Sequence, residues 1–220
     1  MIKNLIFDMG GVVFDLSFEQ AVKRFEEIGV SDASKWLNAS SQQGIFGQLE
    51  GGLIDTETFR ASLSRQIGKE LTHAQCDYAW KGFILCLRQR NLDKLLELGS
   101  RGYRRVLLSN TNPYITAWAH SNDFSRIAID ENGQPVGSEG PGHPMDYYLD
   151  YLYFSCDLKM MKPGKEIFEA VLKAENFVPE ECLFIDDSPK NTAVAESLGL
   201  RTMCPQNNSD WTEEIEEYLL

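Results

Sequence analysis

Short β-rich apolar runs at 3–8, 103–109, 151–156, 182–186 and 200–204 alternate with amphipathic helical patterns near 91–99, 113–121, 165–175, 189–198 and 210–219. This alternation is what most constrains the fold. A chain that returns to a strand after each helix builds a parallel sheet, because parallel neighbours need a crossover and the crossover helices cover the faces. The run "CLFID" at 182–186 stays apolar until its last residue, as a strand buried on both faces must. The expected class is α/β, a Rossmann-like parallel sheet flanked by helices.

Residues 15–90 break the pattern. Their periodicity is helical throughout, in "SFEQAVKRFEEIG", "DASKWLNA", "DTETFRASLSRQIG" and "THAQCDYAWKGFILCL". Thr72 and Gln75 have capping-box spacing, and Asp55 stands where an N-cap belongs. The expectation is a small all-helical cap at 15–90, inserted after the first strand, on a core made of 1–14 and 91–220. Within the insertion, the glycines of "GIFGQLEGG" at 44–52 suggest a mobile loop. A second Gly- and Pro-rich stretch, "IDENGQPVGSEGPGHPMD" at 129–146, contains an Asn-Gly turn signal and reads as a hairpin or surface excursion.

Charge narrows the function classes. With 21 Lys and Arg against 33 Asp and Glu, the net charge of -12 opposes a general nucleic-acid surface. A small phosphorylated substrate stays possible, because a bound divalent cation reverses the local sign. The five cysteines are scattered without a CxxC pair, and the three that lie in apolar runs read as small core residues. At the amino terminus a very short apolar run reaches Asp8, which fits neither a signal peptide nor a membrane span, so a soluble cytoplasmic protein is expected.

In an open parallel sheet, ligands bind beyond the carboxyl ends of the strands. The first strand ends there in Asp8, followed by Gly10 and Gly11; the second ends in Ser109 and Asn110, and the fourth in Asp186 and Asp187. Lys162 stands directly before Pro163, ahead of the helix at 165–175. Each has an ordinary reading as a cap, turn or solvated charge. Together they do not. Adjacent carboxylates repel each other and a nearby Asp8, and a hard divalent cation such as Mg²⁺ relieves that cost. If Pro163 opens the helix, Lys162 sits against the positive end of the macrodipole, a conflict that a bound anion offsets. Carboxylates, metal, hydroxyl and lysine fit transfer of a phosphoryl group to a carboxylate.

These elements resemble the four motifs of the haloacid dehalogenase superfamily, in family order and over essentially the whole chain: "FDMGGVV", "LLSNTN", "MKPGKEIF" and "FIDDSPKN". The insertion resembles the type 1 cap of that superfamily. Gly10, "LSNTN" and "LEGGLIDTETF" look like the branch containing α-D-glucose-1-phosphate phosphatases. The resemblance implies Asp8 as nucleophile, with Mg²⁺ held by Asp8, the Gly10 carbonyl and Asp186, and by Asp187 directly or through water. It implies phosphoryl oxygens on Ser109 and the Asn110 backbone, Lys162 as the neutralising charge, and a small phosphorylated metabolite, sugar phosphates first, as substrate.

The chain departs from the superfamily at Gly10, where most of its phosphatases carry a second Asp as general acid and base, help worth about 10²–10⁴-fold. Asp15 is a candidate stand-in, with a hinge role as its plainer reading. Trp36, Phe46 and Gln48 are candidates for substrate selection by their place in or near the cap loop. Two other functions share the motif set: a metal-independent 2-haloacid dehalogenase, which has no use for the Asp186–Asp187 pair, and a non-catalytic phospho-acceptor or binding relative.

Overall fold

The computed structural model describes residues 1–37, 42–136 and 140–219. Residues 38 and 39 of the expected helix "DASKWLNA", and 137–139 of the Gly- and Pro-rich stretch, lie outside them.

Five strands form the central parallel sheet: β1 (Asn4–Phe7), β4 (Arg104–Ser109), β6 (Tyr151–Phe154), β7 (Cys182–Ile185) and β8 (Arg201–Met203), in the order β6-β4-β1-β7-β8. The chain first builds outward from β1 through β4 to β6, then returns to the other side with β7. The order therefore reverses at β1, which puts the ligand crevice beyond its carboxyl end. Register fixes what meets there. Phe7 pairs with both Leu107 and Ile185, so Asp8 emerges beside Asp186 and one residue short of Ser109.

Burial on both faces explains the apolar strands. Leu5, Phe7, Leu107 and Ile185 join one core cluster, while Ile6, Val106, Leu108 and Phe184 join the other, as the two-residue period of a strand requires. The helices α6 (Gln89–Ser100), α7 (Pro113–Ala119), α8 (Asp123–Arg126), α9 (Ser155–Leu158), α10 (Lys165–Glu175), α11 (Pro189–Ser197) and α12 (Glu216–Leu219) complete this part. Only the last turn of the expected helix at 210–219 is α-helical, in α12; Trp211, Ile215 and Leu219 still bury one face, and Trp211 donates from Nε1 to the Val12 carbonyl at 2.7 Å.

Between β1 and β4 lie α1 (Phe18–Glu27), α2 (Ala33–Trp36), α3 (Gly44–Glu50), α4 (Thr56–Ile67) and α5 (His73–Trp80). Thr72 and Gln75 form the expected capping box on α5, and Asp55 caps α4 by accepting from the Thr58 amide at 2.7 Å. An aromatic cluster holds these helices together, with Phe46 centred 5.2 Å from both Phe25 and Phe59. That packing corrects the loop expected at 44–52. Phe46 and Leu49, three residues apart, are both fully buried, and their burial outweighs the low helix propensity of Gly44 and Gly47.

The segment 15–90 is also not purely helical. β2 (Phe14–Leu16) pairs antiparallel with β3 (Ile84–Arg88), and β5 (Ala128–Ile129) adds to β3 in parallel. Asp15 staples this small sheet, accepting from Arg88 at 2.8 Å and from the Cys86 thiol at 3.2 Å. The Gly- and Pro-rich stretch starts from β5 with a turn in which the Asp130 carboxylate accepts from the Asn132 and Gln134 amides, both at 2.8 Å. Among the described residues, no helix is long and apolar enough to cross a membrane.

Candidate active site

Asp8, Asp186 and Asp187 converge at the carboxyl ends of β1 and β7, with one carboxylate oxygen from each lying within 4.8 Å of the others. Lys162 stands among them, its ammonium 2.8 Å from Asp8 Oδ1 and 2.6 Å from Asp186 Oδ2. The lysine is 5% exposed and Asp186 is sealed. Charges so deeply buried are tolerated only when paired and hydrogen-bonded. Asp186 meets that condition. It also accepts from the Ser188 amide at 2.8 Å and from Asn191 Nδ2 at 3.0 Å to each oxygen.

Lys162 is placed differently from its sequence expectation. α10 begins at Lys165 with Gly164 as N-cap, so Pro163 lies before the helix and does not open it. The lysine answers two carboxylates instead of opposing a helix end. Its backbone is gripped by Asn110, whose Nδ2 donates to the Lys162 carbonyl while its Oδ1 accepts from the Lys162 amide, both at 2.8 Å. Asn110 thus fixes the lysine with its side chain. Ser109, at the end of β4, is 2% exposed.

Burial pushes the Asp8 carboxyl up to about 7; the Lys162 ammonium pulls it back and the Asp186 carboxylate adds to the rise. Burial and Asp186 likewise push Asp187 up to about 6. For Lys162, burial alone would lower the value, but Asp186 and Asp8 outweigh it and hold the ammonium charged. Three carboxylates around one lysine leave excess negative charge, and the described side chains give the Asp187 carboxylate no hydrogen-bond partner. The site suits a divalent cation.

The glycines shape its rim. Gly11 has φ +80°, and a Cβ there would fall 2.7 Å from Asp187 Oδ2, so only glycine lets this loop pass the carboxylate. Asp8, Gly10, Ser109, Asn110, Lys162 and Asp187 line a cavity of about 800 Å³, and Asp186 stands behind Lys162, off the lining. Gln42, Glu50, Trp80 and Phe83 line it too.

None of the three sequence candidates for selection lines the cavity. Phe46 is core, Gln48 is exposed, and Trp36 packs beside Gly44. Asp15 does not line the cavity either, being held by Arg88, and so does not stand in for the acid missing at position 10. Sequence reasoning missed Asn191, which the motif "FIDDSPKN" contains. It also missed Asn208, which bonds the Leu16 amide and carbonyl at 2.7 and 3.0 Å, and Glu50, whose carboxyl burial pushes up to about 8.

A haloacid dehalogenase-like hydrolase family model matches residues 2–199. The chain is 38% identical over 215 residues to a D-ribitol-5-phosphate phosphatase of Bacteroides thetaiotaomicron, covering 98% of this chain and 97% of that protein. It superimposes at a TM-score of 0.87 and 39% identity on a structure described as a predicted HAD-like family hydrolase from Porphyromonas gingivalis, covering 100% and 98% of the two chains. An aspartate-to-alanine variant of a HAD family enzyme from B. thetaiotaomicron, in complex with magnesium and inorganic phosphate, matches at 0.84 and 33% identity, covering 98% and 99%.

Proposed function

Because the chain belongs to the haloacid dehalogenase-like hydrolase family, we propose that it is a Mg²⁺-dependent phosphomonoesterase. Its substrate is a small sugar or polyol phosphate, and the reaction passes through an aspartyl-phosphate on Asp8. The observation that carries this reading is the convergence of Asp8, Asp186 and Asp187 around the buried Lys162. The phosphatase relative and the magnesium and phosphate bound by a neighbour support it.

The donor set fits the metal, being hard oxygen ligands with unrelieved negative charge. Asp8, the Gly10 carbonyl, Asp186 and Asp187 are the residues to hold it. Asp187 is the freer carboxylate, since Asp186 is already bonded by Lys162, Ser188 and Asn191. When bound, Mg²⁺ would neutralise charge between the carboxylates and the phosphoryl oxygens.

In the first step an Asp8 carboxylate oxygen attacks phosphorus and the ester P–O bond breaks, releasing the alcohol, which takes up a proton. Water then attacks the same phosphorus, freeing inorganic phosphate and regenerating the carboxylate. Lys162, held by Asn110, keeps a positive charge beside Asp8 through both steps, and Ser109 and the Asn110 backbone hold phosphoryl oxygens. Residues 15–90 act as a cap over a core of 1–14 and 91–220, excluding bulk water and selecting the alcohol.

The test is phosphate release from p-nitrophenyl phosphate and D-ribitol 5-phosphate, with Mg²⁺ and with EDTA. Metal-dependent release supports the reading. Metal-independent chloride release from 2-chloropropionate, with no phosphate release, would replace it by the dehalogenase.

A further inference from the structure

Glu50 is the last residue of α3, is 7% exposed and lines the same cavity as Asp8 and Asp187. Among the described residues, no side chain or backbone group bonds its carboxyl. Its backbone carbonyl accepts from Ser155 Oγ at 2.6 Å. That contact places it accurately. Ser155 is fully buried, and its hydroxyl also accepts from the Thr111 amide at 2.9 Å, in the loop that follows Ser109. A second anchor follows at Gly52, where a Cβ would come 2.0 Å from the Cys156 carbonyl. Glu50 is thus fastened, through Ser155, to the loop that follows Ser109, while no described residue bonds its acid.

An unpaired buried acid is costly, and a chain that keeps one in a cavity has a use for a partner arriving from outside. Trp80, Phe83, Phe14 and Leu16 add apolar surface to the lining of the same cavity. A few placed polar groups within apolar walls are how small-molecule sites fix orientation. Resting on the phosphatase reading, we propose that Glu50 is a specificity-determining residue, its carboxyl hydrogen-bonding a hydroxyl on the alcohol part of the substrate. The preferred substrates are then phosphate esters of polyols. Burial keeps the acid protonated to about pH 8. A protonated carboxyl donates and accepts, as a hydroxyl does, whereas an ammonium ligand calls for a carboxylate.

The test compares wild type, Glu50→Gln and Glu50→Leu on D-ribitol 5-phosphate, ethyl phosphate, phosphoethanolamine and p-nitrophenyl phosphate. The expected result is a ratio of kcat/KM, ribitol ester over ethyl ester, that falls about tenfold or more in Glu50→Leu, mainly through KM. Glu50→Gln, which still hydrogen-bonds, retains most of that ratio. Equal kcat losses on the ribitol and ethyl esters in both variants, with p-nitrophenyl phosphate spared, would overturn the proposal and make Glu50 the general acid. A wild-type preference for phosphoethanolamine, or a ratio unchanged in Glu50→Leu, would also overturn it. Wild type inactive on every ester would instead sink the phosphatase reading on which it rests.

Discussion

Leu16 closes over Gly10: a Cβ built on that glycine would lie 2.8 Å from Leu16 Cδ1 and 3.0 Å from its Cγ. The sequence lacks the second carboxylate common in the superfamily, and the space where its stem would start is filled. Restoring it by Gly10→Asp forces the leucine aside, at an expected cost of about 1–3 kcal/mol. Leu16→Ala should recover part of that cost. A double-mutant cycle by urea unfolding measures the coupling, and additive effects would show that the two positions do not meet.

Lys162 is buried and paired with two carboxylates. Truncating one member of a buried ion pair typically costs about 3–5 kcal/mol, since the remaining charges lose their partner. Lys162→Ala should lower the Tm markedly, and Mg²⁺ should raise the Tm of this variant more than that of wild type, because the cation answers the same carboxylates. Equal Mg²⁺ shifts in both proteins would separate the lysine from the metal site.

Asn191 donates to both oxygens of Asp186. Partners that orient ligand groups are worth about 10–100-fold in metal affinity or activity. Asn191→Ala should weaken Mg²⁺ binding by that factor in isothermal titration, with Asn191→Asp failing to restore it, since another carboxylate would add repulsion. Unchanged Mg²⁺ affinity in Asn191→Ala would count against Asp186 as part of the metal site.

Glu50 gives a pH signature in stability. Its unfolded carboxyl titrates at its ordinary value of 4.5, while the folded one holds its proton to about 8. Between those values the folded state binds more protons than the unfolded state, so stability falls as pH rises across that window and levels off above it. Glu50→Gln cannot titrate. Calorimetry in saturating Mg²⁺ should therefore find a smaller loss of Tm between pH 6 and 9 in Glu50→Gln than in wild type, and parallel profiles would contradict a buried, protonated acid.

Phe46 tests the core of the helical insertion. It is fully buried among Phe25, Phe59 and Trp80. Phe46→Ala should cost about 3–5 kcal/mol by denaturant unfolding. A cost under about 1 kcal/mol would return the residue to the selecting role that its place in the sequence suggested.

The central sheet was legible because its strands are apolar on both faces and end in polar residues, a pattern local to each run. The convergence of Asp8, Asp186 and Lys162 followed from those ends plus sheet topology. What escaped was non-local. Phe14–Leu16 and Ile84–Arg88 are too short to announce strands, and they form only because each finds the other. α3 is hidden by its glycines until Phe46 and Leu49 have a core to enter. The role of Asn110 depends on Lys162 arriving beside it, and Glu50 in "LEGG" looks like any solvated acid until its burial is seen.

The central claim is that Asp8 attacks phosphorus, and Asp8→Asn tests it most directly. The variant keeps the size of the side chain while removing the nucleophilic carboxylate, so folding is checked by its Tm and chemistry by phosphate release from D-ribitol 5-phosphate in Mg²⁺. A folded variant whose release falls by about three orders of magnitude or more is the expected result. A folded variant that releases phosphate within about tenfold of wild type would contradict it.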